Sequence, residues 1–260
     1  MASGSTNRGD TLVLGYHAIS EAWPAALSVT PDSFERQLAL LVKRGYRGVT
    51  FSEALDGADG DRVVAITFDD AYESVVQRAL PALSKLGLVA TVFVPTAYPD
   101  RREPMAWQGI RHWLEGPHRS ELMPASWEDL GRLSEAGWEI GSHTHTHPRL
   151  SEVPDDELMA ELIGSKEECE RHLRKPCRSL AYPYGEFDDR VSAAAARAGY
   201  NYAAALPGRI TTHSPMAWPR IGIYHADTSP RFRQKISPFV RRLRASPLWA
   251  LADRRHRHRT

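Results

Sequence analysis

The sequence predicts an α/β fold, a distorted (β/α)7-8 barrel of parallel strands with surrounding helices. Short apolar, β-branched runs alternate with longer segments of helical period, the pattern of βαβ units. Seven or eight such units fit a chain of 260 residues, about the length of a closed α/β barrel. With 42% hydrophobic and 25% charged residues the composition is that of a globular protein able to bury its own core. An open doubly wound sheet is the alternative.

Taken in order, Thr11 to Tyr16 reads as the first strand. Thr30-Pro31-Asp32 then starts a helix, with a capping hydroxyl and Pro at the first helical position, and Phe34, Leu38 and Leu41 keep the helical spacing. Tyr46 to Phe51 and Val63 to Thr67 are the second and third strands. Val75 to Leu86 is a helix that Gly87 ends, and Val89 to Val94 is the fourth strand. Residues 97–125, rich in Pro, Arg and Trp, form a long excursion. Ser126 to Ala136 is a helix, Trp138 to Ser142 a strand, Pro154 to Leu173 a long helix and Ser179 to Pro183 a strand. Phe187 to Ala198 is the next helix, Asn201 to Leu206 the seventh strand and Arg220 to Ile223 the eighth. The division expected is a disordered 1–10, a barrel domain over 11–228 and a basic helix and tail over 229–260.

In a parallel barrel the active site lies where the strands end. His17 follows the first strand, Asp69 and Asp70 the third, His143-Thr144-His145-Thr146-His147 the fifth and Pro183-Tyr184-Gly185 the sixth. His143 and His147, four apart, place two imidazoles on one side of a turn. With one carboxylate they make a two-His, one-carboxylate metal site with open coordination positions. His145 alternates with them and is expected to point away. Two adjacent carboxylates at a buried strand end repel each other unless a metal holds one and a proton or a cation the other. The same ligand types serve iron-dependent oxygenases, but those favour an all-β pattern. An amidohydrolase-type His-x-His pair would follow an early strand rather than the fifth.

These residues, in this order, resemble the polysaccharide deacetylase family (carbohydrate esterase family four). Its first motif stands at Thr67-Phe68-Asp69-Asp70 and its second at His143 to His147. Its third, usually Arg-Pro-Pro-Tyr-Gly, is replaced by Ala181-Tyr182-Pro183-Tyr184-Gly185. The resemblance covers roughly residues 11–225. It implies that Asp70, His143 and His147 bind a divalent metal, zinc by default, with cobalt, nickel or iron fitting the same ligands. It implies that Asp69 is the general base and that the Tyr184 N–H stabilises the oxyanion. The missing third-motif Arg leaves the orientation of Asp69 open, and Arg220 is the candidate replacement. Gly15-Tyr16-His17 is similar to the permuted arrangement of poly-N-acetylglucosamine deacetylases, which makes His17 the candidate acid in preference to His225. The implied reaction is removal of an N-acetyl group from an amino sugar or glycan. An O-acetyl esterase, a deacylase of a small glycosylated metabolite and a catalytically dead glycan-binding module are the alternatives.

Trp107 and Trp113 are candidates to stack on sugar rings, with packing as the plainer expectation. Cys169 shares a helical stripe with Leu158, Leu162 and Leu173, so a buried thiol is expected. Residues 229–260 hold 10 of the 33 basic residues and 1 of the 32 acids. Phe232, Ile236, Phe239, Val240 and Leu243 recur among those charges at roughly helical spacing. The segment suits either a helix capping the barrel or one lying on an anionic membrane surface. No nucleic-acid partner is expected, because the body is acidic and carries no recognition motif. No apolar run is long enough to span a bilayer and no secretory signal is read, so the expected location is cytoplasmic, membrane-peripheral if the tail binds lipid.

Overall fold

The computed structural model describes residues 10–58, 62–206 and 214–245. The expectation of a disordered N-terminus falls outside them except at Asp10, and so does the tail beyond residue 245. The strands in chain order are β1 (Asp10–Tyr16), β2 (Ala18–Ile19), β3 (Ser28–Val29), β4 (Arg47–Val49), β5 (Arg62–Phe68) and β6 (Thr91–Val94). They continue with β7 (Glu139–Ser142), β8 (Ser179–Ala181), β9 (Tyr202–Ala205), β10 (Trp218–Pro219) and β11 (Ile221–Gly222). The helices are α1 (Pro31–Lys43), α2 (Phe51–Asp56), α3 (Leu80–Ser84), α4 (Trp127–Glu135), α5 (Asp155–Leu173), α6 (Asp189–Arg197), α7 (Ser229–Lys235) and α8 (Pro238–Ala245).

One parallel sheet runs β10-β9-β8-β7-β6-β5-β1-β11, with β4 also paired to β5. Its two ends are consecutive in the chain. β10 pairs with β9, β11 pairs with β1, and only Arg220 separates them. The segment Trp218–Gly222 therefore joins both edges and closes the sheet on itself, which rules out the open doubly wound alternative. β4 pairs with the first half of β5 and β6 with the second half, so both share one edge of that strand. The result is a distorted (β/α)7-8 barrel.

Alternation along the strands sorts inside from outside. Val13, Val63, Ala65, Phe93, Ala181, Ala204 and Trp218 form the inner cluster, with Phe51 and Leu55 of α2 packed onto it. Leu12, Leu14, Val64, Ile66 and Phe68 face outward into the larger core beneath the helices. The interior has no spare room. A Cβ on Gly141 would lie 2.7 Å from the Phe93 ring and 2.6 Å from the Ser179 hydroxyl.

Several elements differ from the sequence reading. The second strand ends at Val49 because Thr50 and Glu53 form a capping box that starts α2 at Phe51, and Gly57 at φ 96° ends it. The helix expected from Val75 to Leu86 begins as a π-helical turn over Val75–Ala79. Pro81 cannot donate to the preceding turn and its ring crowds the carbonyl four residues back, so the turn widens. The expected basic helix is two short helices, with Phe232 and Ile236 buried in the body and Phe239 74% exposed. Cys169 and Cys177 are both buried and free.

Candidate active site

The period-2 alternation that fills the barrel also aims the reactive groups. Val63, Ala65 and Thr67 of β5 face inward, so Asp69 continues the inner row. Likewise His17 continues Val13 and Gly15, and His143 continues Gly141. The Asp69 N–H donates to the Tyr16 carbonyl at 3.0 Å and the His143 N–H to that of Val94 at 2.8 Å, which fixes both strand ends.

Asp70 turns out of the strand at φ 69°. Its Oδ1 stands 3.4 Å from Nε2 of His143 and 3.4 Å from Nε2 of His147. In a tetrahedral site with ligands about 2.1 Å from the ion, ligand atoms stand about 3.4 Å apart. His143 Nδ1 donates to the Ala181 carbonyl at 2.7 Å, leaving Nε2 as the free lone pair. The buried Asp70 Oδ1 has no hydrogen-bond partner. The three side chains therefore fit a divalent cation. Among the described residues no other group of three His, Cys, Asp or Glu could hold a metal. Burial would lower the pKa of His143, but Asp70 and Asp69 raise it above its ordinary value. Burial and the His143 charge lower His147 to about 3. His145 points away, its Nδ1 3.0 Å from the Thr96 hydroxyl.

Asp69 is held differently. Arg220 Nη1 and Nη2 donate to its two oxygens at 2.6 and 2.8 Å, and Nη1 also donates to the Thr67 hydroxyl at 2.9 Å. The guanidinium rests over the Phe93 ring, 5.4 Å from its centroid. Burial would raise the Asp69 pKa, but the Arg220 charge brings it well below the usual carboxylate range. The side chain at the third-motif position is the small Ala181, part of the apolar interior, and the guanidinium enters from the closing strand instead. His17 Nε2 lies 3.9 Å from Asp69 Oδ2. Burial pushes its pKa below the ordinary value, against the pull of Asp69 and Asp70. His225 is exposed, and its ring is no part of the pocket wall.

His17, Asp69, Asp70, His143 and His147 all line one pocket of about 290 Å³, and Arg220 lies behind its wall. Tyr184, at φ 60°, forms part of its wall, and the Tyr184 N–H has no carbonyl partner among the described residues. The Tyr184 hydroxyl donates to the Gln108 carbonyl at 3.1 Å and so pins the 97–125 excursion over the rim. Trp107 stacks on the His147 ring at 4.2 Å, so it packs and lines the pocket at once. Trp113 packs against Trp23 and His118 instead.

Five non-glycine residues of the site loops adopt positive φ: Asp70, Ala71, Thr144, His147 and Tyr184. Each such residue costs on the order of 1–2 kcal/mol, so the loops need a restraint. Glu161 of α5, which the sequence reading passed over, supplies one. Its Oε2 accepts the N–H groups of His145 at 2.7 Å and Thr146 at 2.8 Å, while Oε1 accepts the Thr146 hydroxyl. Within the loop the His147 N–H donates to the Thr144 hydroxyl at 3.1 Å.

The sequence profile of the family described as "Polysaccharide deacetylase" matches residues 56–203. Poly-beta-1,6-N-acetyl-D-glucosamine N-deacetylase of Staphylococcus aureus (strain MRSA252) is 28% identical over 198 residues, 71% of this chain and 63% of that protein. The chain thus spans less than two thirds of the length of that curated relative. BC0361, a polysaccharide deacetylase from Bacillus cereus, superposes with a TM-score of 0.71 at 25% identity, over 87% of this chain and 69% of that one. Streptococcus pyogenes deacetylase PplD, solved in complex with acetate, shares the fold with a TM-score of 0.73 at 24% identity, over 88% and 98% of the two chains. The profile match takes in more than half of the 260 residues, including both the Asp-Asp and the His-x-x-x-His segments. This chain belongs to the polysaccharide deacetylase family.

Proposed function

We propose that the protein is a metal-dependent deacetylase that hydrolyses the N-acetyl group of an amino sugar or glycan and releases acetate. One observation carries this reading: of two adjacent carboxylates in one pocket, Asp70 faces two imidazoles while a buried guanidinium keeps Asp69 ionised. Asp70, His143 and His147 would hold the divalent cation, with zinc the default. Bound there, the cation supplies Lewis acidity, polarising the acyl carbonyl and acidifying a water. Asp69 takes the proton from that water as general base, and Arg220 keeps it ionised and oriented. The Tyr184 N–H donates to the oxyanion as the carbonyl becomes tetrahedral. His17 protonates the departing amine, which leaves poorly without a proton. The name of the staphylococcal relative supports the substrate class.

The experiment is acetate release from N-acetylglucosamine oligomers with and without chelator, beside elemental analysis of the wild type and His143→Ala. Chelator-sensitive acetate, with metal lost in the variant, is the expected result. No acetate with metal still bound would move the reading to an O-acetyl ester or a small glycosylated metabolite. No metal and no turnover would leave a glycan-binding module.

We further propose a cytoplasmic location with peripheral contact to anionic membrane. Phe232 and Ile236 are committed to the body, so that contact would fall on Phe239 and the basic chain after it. Phe239→Ser should reduce sedimentation with anionic liposomes, and unchanged sedimentation would remove the membrane from the proposal.

A further inference from the structure

On the pocket wall, Tyr224 is among the large hydrophobic side chains left exposed in the described residues. Its ring folds back across Gly222, where a Cβ would lie 2.5 Å from the phenol oxygen, so the pose needs glycine there. The pose is fixed from both ends. The Tyr224 N–H donates to Asp227 Oδ2 at 2.8 Å, and the Asp227 N–H returns to the Tyr224 carbonyl at 2.9 Å. Lys235 donates to Asp227 Oδ2 and the Gly222 carbonyl, and its ammonium faces the Tyr224 ring at 5.2 Å. Gly222 pairs with Gly15, two residues before His17. The phenol therefore stands on the His17 and Arg220 side of the pocket, near the carboxylate that Arg220 holds. Among the described residues its hydroxyl makes no hydrogen bond, whereas the other phenol on this wall, that of Tyr184, is already used.

We propose that Tyr224 is a specificity-determining residue whose hydroxyl hydrogen-bonds a sugar hydroxyl beside the acetamido group under hydrolysis. The assignment rests on the deacetylase reading. Burial raises the phenol pKa, so the group stays neutral, able both to donate and to accept, as a sugar hydroxyl requires. A rigid donor on the wall would set which carbon of the ring can present its acetamide to Asp69.

The test is Tyr224→Phe, which removes one oxygen and keeps the ring. On N-acetylglucosamine oligomers KM should rise about threefold to tenfold at unchanged kcat, as for loss of a hydrogen bond made equally in ground and transition states. The loss of kcat/KM should be larger there than on para-nitrophenyl acetate, which has no sugar ring. A wild type that releases acetate beside a variant with unchanged KM would overturn the Tyr224 assignment and leave the deacetylase reading standing. Equal losses on both substrates would also overturn it. A wild type that releases no acetate from the oligomers would bring down both.

Discussion

Arg220→Met removes a guanidinium and keeps an unbranched apolar chain in its place. The wild-type guanidinium is fully buried and makes two hydrogen bonds to Asp69, whose side chain is 3% exposed. Deleting one partner of such a pair leaves a buried charge uncompensated, at a cost of about 3–5 kcal/mol. Each kcal/mol moves the Tm of a domain this size by roughly 2–4 °C, so the metal-free variant should melt roughly 6–20 °C lower. Asp69→Asn in the same chain should restore much of that, since no charge is then stranded. The pH dependence follows by sign. Asp69 has a depressed folded pKa, so its share of stability is present above the unfolded value and is lost as pH falls below about 4. Without Arg220, Asp69 loses the largest influence holding its pKa down, burial is opposed only by His143 and His17, and that pKa rises. With Asp69 as the proposed base, the acid limb of kcat/KM should then move to higher pH, because protonation would remove that base. Melting scans, urea titrations and a pH–rate profile make the assay. A variant within about 1 kcal/mol of wild type, below the cost of any stranded buried charge, and with an unmoved acid limb, would refute the argument.

Three further outcomes are expected. Glu161→Gln leaves one oxygen to serve three donors on the His143–His147 loop, so metal affinity should weaken about 10–100-fold; unchanged affinity in a chelator competition would show that the loop holds itself. His17→Ala should cost more on an N-acetyl amide than on an activated acetyl ester, whose leaving group needs no proton, and equal losses would argue against the acid role. Gly141→Ala forces a methyl against Phe93 and Ser179 and should cost about 1–3 kcal/mol by urea unfolding; a neutral result would mean the interior yields more readily than its packing implies.

What could be read from the chain follows the range of the interactions involved. Buried parallel strands announce themselves as apolar runs, and strand ends followed by His17, Asp69-Asp70 and His143 to His147 are local in sequence. Those residues were legible for that reason. The helix at Phe51 was missed because Phe51 extends an apolar run, although Thr50 and Glu53 carried a capping signal. Glu161 was invisible: it lies in a helix that also carries Glu157, Glu167, Glu168 and Glu170, and only the folded loop shows which of them meets His145 and Thr146. Arg220 could be suspected but not aimed, because its reach to Asp69 spans 151 residues and exists only once the sheet closes. Tyr224 gave no signal, since its pose depends on Gly222 and on Lys235 from α7.

The placement of Arg220 between β10 and β11 puts it late in the chain, at the junction that closes the sheet. A chain emerging from synthesis presents His17, both aspartates, both imidazoles and Tyr184 before residue 220 exists. Those groups can gather on a half-built sheet, but Asp69 then lacks the charge that keeps it ionised. The residue that holds Asp69 is thus the pin of the segment that closes the sheet. With Asp69 as the proposed base, turnover would require the closed sheet, which makes activity itself a reporter that the ring has closed.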